Sequence, residues 1–131
     1  MTIDDPDVLA EVTAAFERYE AALTGNDVET LDELFWADAR TIRYGPAESL
    51  YGRDEILAFR KGRPSQGLDR TLRRTVITTF GRDTATANSE FTRHGSDKIG
   101  RQSQTWIRTD AGWRVVAAHV SLRPRTDADA P

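Results

Sequence analysis

A tyrosine and an arginine in the first third of the sequence are placed where they could move a proton on a small anion. Tyr19 falls on the apolar stripe of a predicted helix, so its phenol points inward. Arg43 lies in a predicted short strand, and a guanidinium binds a carboxylate through two parallel hydrogen bonds. An arginine beside a buried phenol favours the phenolate, which lowers the pKa of the tyrosine and helps it to exchange protons. The residues alone also allow a core tyrosine and a surface arginine.

Five further side chains are candidates for binding the same molecule. Arg60 and Arg63 lie at helical spacing, and either could bind a second carboxylate or be a solvated charge at a helix end. Gln104 can hydrogen-bond a urea carbonyl or amide, and we expect it to face His119 on the neighbouring strand. His119 and Ser121 are two residues apart on the last predicted strand and could line a pocket. A lone histidine on a strand is also a common structural residue.

Other kinds of site are not indicated. The sequence has no cysteine and two histidines, without the spacing of a tight metal site, so we expect neither a metal nor another cofactor. It also lacks a Gly-x-Ser-x-Gly elbow and a glycine-rich phosphate loop. The net charge is −3 with interspersed signs, which argues against nucleic acid. With no apolar run of about 18 residues and no signal peptide, we expect no membrane contact and a cytoplasmic location.

The secondary structure that must position these residues is predicted to change from mainly helices to strands along the chain. Asp5 and Pro6 predict the start of a first helix that ends at Gly25. A shorter helix capped by Asn26 or Asp27, a strand over residues 40–44 and a helix over 54–61 follow. Strands are then predicted over 70–80, 84–94, 98–109 and 113–122. Helices followed by an antiparallel meander indicate a cone-shaped α+β domain over 1–122, with helices packed on a curved antiparallel sheet and a disordered tail over 123–131.

The last strand also suggests how the chain assembles. Simple alternation over 113–122 places Trp113, His119 and Ser121 on one face and Val120 and Leu122 on the other. Both faces are largely apolar, so we expect one to line the interior and the other to pack on a second subunit. The sequence therefore predicts a homodimer formed through the sheet face.

Three stretches carry a resemblance to a known family. They are IRYGPAESLYG at 42–52, GRQSQTW at 100–106 and GWRVVAAHVSL at 112–122. With the order of elements, they resemble the AtzH-like family, which includes the HpxZ proteins of oxalurate catabolism, within the SnoaL-like, nuclear-transport-factor-like superfamily. The resemblance covers nearly the whole chain except the tail.

That resemblance implies a cone-shaped fold, a dimer and an activity. The best-defined activity in the family removes a carboxyl group from 1,3-dicarboxyurea to give allophanate during cyanuric acid breakdown. Its implicated residues, a tyrosine on the first helix and an arginine on the first strand, fall by motif on Tyr19 and Arg43. We therefore expect a metal-independent hydrolase that acts on a small anionic ureide and is linked to an amidase.

Two other classes of function remain open at this point. One is a non-catalytic binding module or accessory subunit of an amidase of the same pathway, because fold alone does not fix function. The other is a SnoaL-like cyclase or isomerase on a hydrophobic substrate. Such pockets usually carry an aspartate base in an apolar cavity, whereas the candidates here are arginine, tyrosine, glutamine and histidine.

Overall fold

The computed structural model describes residues 1–129, and three helices lie on one side of a six-stranded sheet in that part of the chain. The first helix, α1, spans Pro6–Thr24. Its N-terminus is capped by Asp5, whose carboxylate accepts hydrogen bonds from the backbone N–H groups of Asp7 and Val8. The helix ends at Gly25, and its predicted apolar stripe, which includes Tyr19, is buried. Helix α1 therefore follows the sequence pattern closely.

The region after α1 is built from short elements. Helix α2 spans Val28–Leu34 with Asp27 as its cap, and helix α3 spans Arg53–Gly62. Between them, strand β1 (Ile42–Tyr44) pairs with a strand that alternation did not predict, β2 (Ser49–Tyr51). Strand β2 has only three residues, too few for a period-two pattern to stand out.

Four long strands complete the sheet in the order β2-β1-β6-β5-β4-β3. The sheet is mixed, because β1 pairs parallel to β6 while all other neighbours are antiparallel. The predicted antiparallel sheet is confirmed for the four long strands, and β1 adds one parallel pairing. Helix α3 and the other long strands separate β1 from β6 in the chain, which allows this parallel pairing. The long strands are β3 (Thr71–Phe80), β4 (Thr84–Thr92), β5 (Lys98–Thr109) and β6 (Gly112–Pro124).

A β-bulge in β6 determines which of its side chains face the helices. Trp106 of β5 pairs with Val115, but the preceding Thr105 pairs with Ala117, so Val116 is the extra residue. An extra residue reverses the alternation beyond it. Val115 is buried on the inner face, whereas Ala117 and the odd-numbered residues after it lie on the outer face.

The C-terminal segment continues the fold further than the sequence indicated. Strand β6 passes the expected domain boundary at residue 122 and runs to Pro124, and Asp127–Asp129 form a 3-10 turn. Asp129 accepts hydrogen bonds from the guanidiniums of Arg73 and Arg123. The expected disorder is thereby corrected for residues 123–129, because these ion pairs anchor the segment. Residues 130–131 of the expected tail lie outside the described residues.

The core fills the space between α1, α2 and the inner face of the sheet. Apolar side chains fill the part of this space around Trp106, which is fully buried. Toward the other end, the inner face changes from apolar to polar, with Gln104 and Gln102 following Trp106 at period two along β5. This polar end is where the candidate site lies.

Candidate functional site

A cavity of about 260 Å³ opens at the polar end of the domain, between α1, α3 and the inner face of the sheet. It is large enough for a small organic anion and too small for a large apolar substrate. Its wall is rich in arginine and contains the predicted residues Tyr19 and Arg43. The lining residues are Tyr19, Leu23, Arg43, Pro46, Glu48, Phe59, Arg63, Gly67, Leu68, Arg70, Phe91, Arg93, Gln102, Val120 and Leu122.

Tyr19 and Arg43 reach the cavity from different elements. Helix α1 presents Tyr19, which is 2% exposed, because the residue lies on the apolar stripe that packs on the sheet. Strand β1 presents Arg43 on its inner face, as the predicted alternation requires, and its register partner on β6 is Ala118. The guanidinium of Arg43 lies 5.3 Å from the ring centre of Phe59 on α3. The structure thus brings the two predicted residues to one cavity.

Four arginines line this cavity, and a fifth, Arg60, lies behind Tyr19. The five arginines fall into two groups. Arg43 and Arg70 are neutralised by carboxylates: Nη1 of Arg43 is 2.8 Å from Oε1 of Glu48, and Arg70 pairs with Glu20. Arg70 also donates to Oε1 of Gln102 at 3.1 Å.

The second group consists of Arg60, Arg63 and Arg93, which have buried nitrogen atoms without a hydrogen-bond partner among residues 1–129. Arg60 is the extreme case, because it is 1% exposed and none of its three guanidinium nitrogens has a partner within that range. It lies 4.9 Å from the ring centre of Phe35 and 6.0 Å from that of Tyr19. Stacking on aromatic faces offsets part of the cost of burying a cation, and the nearby Tyr19 phenol also favours the charged guanidinium. No nitrogen of Arg60 reaches full hydrogen-bond geometry, however, so most of its donor capacity is unsatisfied.

Two buried amide groups also lack hydrogen-bond acceptors. The Nε2 atoms of Gln102 and Gln104 are also buried without an acceptor in the described part of the chain. Gln104 accepts a hydrogen bond from Nε1 of Trp106 at 3.0 Å, which fixes the amide so that its nitrogen is the free end. Buried donors normally have partners, so a group of free donors at a cavity indicates a ligand that supplies several acceptor oxygens.

The electrostatics of the cavity favour negative charge. Burial raises the pKa of the Tyr19 phenol, but the positive charges of Arg60, Arg70 and Arg43 outweigh burial and lower that pKa below its usual value. Burial lowers the pKa of Arg60, with Arg43 as a further cause. Burial, followed by repulsion from Arg60 and Arg43, lowers the pKa of Arg63 to about 10. The cations therefore destabilise one another and stabilise any anion among them.

The remaining predicted residues separate into two locations. Arg60 and Gln104 lie on the inner side, Arg60 behind Tyr19 and Gln104 deeper along β5. His119 and Ser121 lie on the outer face, opposite Ser103 and Arg101 of β5. Their expected inward orientation is wrong, because the bulge at Val116 reverses the faces beyond it.

His119 also fails to meet its expected partner. It is exposed and packs edge-on against Tyr44, 5.7 Å between ring centres, while Gln104 pairs with Ala118 instead.

Several residues that line the cavity were not predicted from the sequence. Arg70 precedes β3, Arg93 follows β4, and Gln102 lies two residues before Gln104. The period-two spacing of Gln102, Gln104 and Trp106 was a usable signal for one shared face. Arg70 and Arg93 lie at the ends of different predicted strands, and they come together only around Phe91, at 4.4 and 4.9 Å from its ring centre.

Comparison with known proteins agrees with this geometry. The sequence matches the profile of the AtzH-like family over residues 1–126. The chain belongs to the AtzH-like family. The AtzH-like domain thus spans the whole described sheet and all three helices. No curated protein matches the chain at a significant level.

Solved structures similar to this AtzH-like protein share its fold. A protein of unknown function from Pectobacterium atrosepticum is 67% identical, with a TM-score of 0.92 over 92% of this chain and 94% of the other. A cystatin-like fold protein from Burkholderia xenovorans is 46% identical, with a TM-score of 0.92 over 96% and 99%. An NTF2-like protein of unknown function from Pseudomonas putida is 16% identical, with a TM-score of 0.75 over 95% and 92%. The AtzH-like protein therefore has the cone-shaped NTF2-like fold.

Two further kinds of feature are absent from residues 1–129. No helix there is long and apolar enough to cross a membrane. No group of three or more histidine, aspartate or glutamate side chains in that range could hold a metal ion.

Proposed function

We propose that this AtzH-like protein is a ureide hydrolase that removes one carboxyl group from 1,3-dicarboxyurea to give allophanate, in cyanuric acid or oxalurate-type nitrogen catabolism. The observation that carries the proposal is the set of buried, unpartnered donors of Arg63, Arg93 and Gln102 in the wall of one cavity of about 260 Å³, with those of Arg60 and Gln104 adjoining it. A dicarboxylated urea is small, carries two negative charges and offers five acceptor oxygens. Such a molecule supplies the negative charge that the arginines lack and the acceptors that the unpartnered donors lack.

The charge balance supports a dianion. Five arginines line or adjoin the cavity, and two of them are paired with Glu20 and Glu48, which leaves an excess of three positive charges. A dianion would remove most of this excess, whereas a neutral or hydrophobic substrate would leave one buried and two partly buried cations uncompensated. The cyclase or isomerase alternative is therefore disfavoured. The only carboxylate in the cavity wall, among residues 1–129, is that of Glu48, which is already paired with Arg43.

In the proposed complex, Arg43 and the unpartnered arginines hold the two N-carboxylates. The amide nitrogens of Gln102 and Gln104 donate to the urea carbonyl or to a carboxylate oxygen. The substrate-binding role that the sequence predicted for His119 and Ser121 is not part of this proposal, because both residues lie on the outer face.

The proposed chemical step is proton transfer to nitrogen. Tyr19 protonates one urea nitrogen, the bond between that nitrogen and its carboxyl carbon breaks, and the bonding electrons stay on nitrogen. The products are allophanate and carbon dioxide, and a proton from solvent restores the phenol. Water hydrates the carbon dioxide to bicarbonate, which completes the net hydrolysis. Because the arginines lower the pKa of Tyr19, it is a stronger acid than an ordinary tyrosine.

A turnover measurement tests the proposal. Purified protein is given enzymatically generated 1,3-dicarboxyurea, and allophanate is followed above the spontaneous background. Tyr19→Phe should lower turnover by about 10² to 10⁴ without unfolding the protein, because it removes one positioned proton donor. Arg43→Ala should weaken both binding and turnover. Tyr51→Phe, an exposed tyrosine on β2, is the matched control and should keep wild-type rates.

The outcome decides between the proposed enzyme and the accessory role. Wild-type rates in both Tyr19→Phe and Arg43→Ala would show that the chemistry lies elsewhere. A rate no higher than background in the wild type would rule out dicarboxyurea hydrolysis. Oxalurate would then be tried as substrate, and co-purification with an amidase would favour an accessory subunit.

A further inference from the structure

Glu48 carries the one acidic side chain in the cavity wall, as far as residues 1–129 are concerned. It lies in the turn between β1 and β2, and its Oε1 accepts a hydrogen bond from Nη1 of Arg43 at 2.8 Å. The two side chains are 20% and 7% exposed, so the pair is largely withdrawn from water. A ligand carboxylate bound to Arg43 would thus meet a residue that already supplies the same chemical group.

The turn is shaped to hold the carboxylate in this position. The backbone N–H of Gly45 donates to the carbonyl of Glu48 at 2.9 Å, which closes the turn. The side chain of Glu48 then folds back over Gly45, and a Cβ atom added there would lie 1.8 Å from Oε1. Only glycine at position 45 leaves room for the carboxylate beside Arg43.

We propose that Glu48 is a placeholder carboxylate, which occupies Arg43 in the free protein and is exchanged for one carboxylate of a dianionic ligand. This inference rests on the proposed function, because it concerns how the same cavity accepts its ligand. An arginine as buried as Arg43 needs an acceptor when no ligand is bound, and Glu48 provides it. Once the ligand carboxylate arrives, two like charges would face one guanidinium, so the carboxylate of Glu48 leaves.

The surroundings of Glu48 allow its side chain to move into water, and they favour its displacement by the ligand. Pro46 and Ala47 in the same turn are exposed, so a rotation of the Glu48 side chain brings its carboxylate into water. Arg63 and Arg93 line the cavity, have no carboxylate partner among residues 1–129, and can bind the other end of the ligand without competition. A monocarboxylate is satisfied by these free arginines, whereas only a dianion also needs Arg43. Glu48 therefore competes only with the second carboxylate of a dianion, which is the one that binds Arg43.

Calorimetric titration with malonate, a dianion, and acetate, a monoanion, tests the exchange. Glu48→Gln removes the competing charge and keeps the side-chain shape, so malonate should bind on the order of tenfold more tightly than to the wild type. The strongest acetate site should change by less than about twofold, because it uses arginines that Glu48 does not contact. Free Glu48→Gln protein should unfold at a lower temperature than the wild type, since Arg43 loses its charged partner.

Gly45→Ala is a second, independent variant with the same expected direction. Its Cβ atom excludes the carboxylate from the position beside Arg43 while the charge stays in the chain. Glu33→Gln, which breaks an exposed pair with Arg18, is the matched control and should leave malonate binding unchanged.

Each alternative role of Glu48 gives a different result. Weaker malonate binding in Glu48→Gln would mean that Glu48 orients Arg43 for the ligand, and unchanged binding with lost turnover would mean that it is a catalytic base. Either result overturns the exchange, as does the absence of malonate binding in wild type and variants alike. Hydrolysis of dicarboxyurea is measured separately, so these results leave the proposed function standing, and failed hydrolysis leaves the binding test valid.

Discussion

At the scale of single residues, Arg60 shows most clearly that this cavity is built for a ligand at a cost in stability. A buried guanidinium without a hydrogen-bond partner among the described residues destabilises the free protein, because desolvation of a cation is not compensated. Residues selected for stability alone would be apolar at such a position. Residues that break the rules of packing usually do so at functional sites, so the anomaly points to binding.

Replacement of Arg60 should therefore separate stability from function. Arg60→Met keeps an unbranched side chain and removes the charge, and we expect it to raise the free energy of unfolding by on the order of 1–4 kcal/mol. The pKa of Tyr19 should rise in this variant, because Arg60 is the foremost of the charges that lower it. Urea denaturation gives the first quantity, and ultraviolet titration of the phenolate gives the second.

The same variant should lose most of its affinity for malonate. Arg101→Met, an exposed arginine on the outer face of β5, is the control and should change stability by no more than about 0.5 kcal/mol. A destabilised Arg60→Met protein would show that the guanidinium holds the fold together, contrary to our interpretation.

At the scale of elements, the pairing of β4 with β5 shapes the mouth of the cavity through one contact. Phe91 of β4 lies over Gly100 of β5, its register partner. A Cβ atom added at Gly100 would lie 2.1 Å from Cζ of the Phe91 ring. The ring also lies against the guanidiniums of Arg70 and Arg93, so its position sets theirs.

Gly100→Ala should displace Phe91 and lower the free energy of unfolding by about 1–3 kcal/mol, because overpacking forces a buried ring to move. Gly62→Ala, at the end of α3 with nothing within 4 Å of the added methyl group, should instead be neutral or stabilising by up to about 1 kcal/mol. Thermal denaturation of the two variants makes the comparison. If Gly100→Ala were as stable as Gly62→Ala, the Phe91 contact would not constrain this end of the sheet.

At the scale of the whole molecule, the outer face of the sheet is where the predicted homodimer would form. The bulge in β6 makes this face less apolar than expected, because Ala118 and Val120 turn inward and His119 turns outward. A shallow concavity of about 330 Å³ remains there, and its outward-facing lining residues are Ile42, Tyr44, Thr86, Asn88, Ser103, Thr105, Ala117 and His119. Small polar and apolar side chains of this kind allow two sheets to approach closely.

We expect a dimer at micromolar concentration by light scattering, and Ala117→Arg should dissociate it by placing a charge at the centre of this face. Ala111→Arg, in the exposed turn between β5 and β6, is the control and should leave the mass unchanged. A wild-type monomer at that concentration would contradict the predicted homodimer.

The sequence by itself determined the local elements and the two central site residues. Capping at Asp5 and apolar spacing in α1 depend on neighbours in the chain, so the helix and the inward direction of Tyr19 could be predicted. Alternation in β1 separated Arg43 from Ile42 and Tyr44, and the family motif assigned this buried arginine to the site. Family motifs added the expected chemistry.

Only the tertiary structure decided the rest of the site. The bulge at Val116 arises from pairing with β5, and it moved His119 to the opposite face from the one that alternation within β6 predicts. Arg70 and Arg93 gather at the cavity through contacts between distant segments, and the pairing of Arg43 with Glu48 depends on a folded turn. Local patterns specify which way a residue points within its own element, whereas the partners it meets depend on how the elements pack.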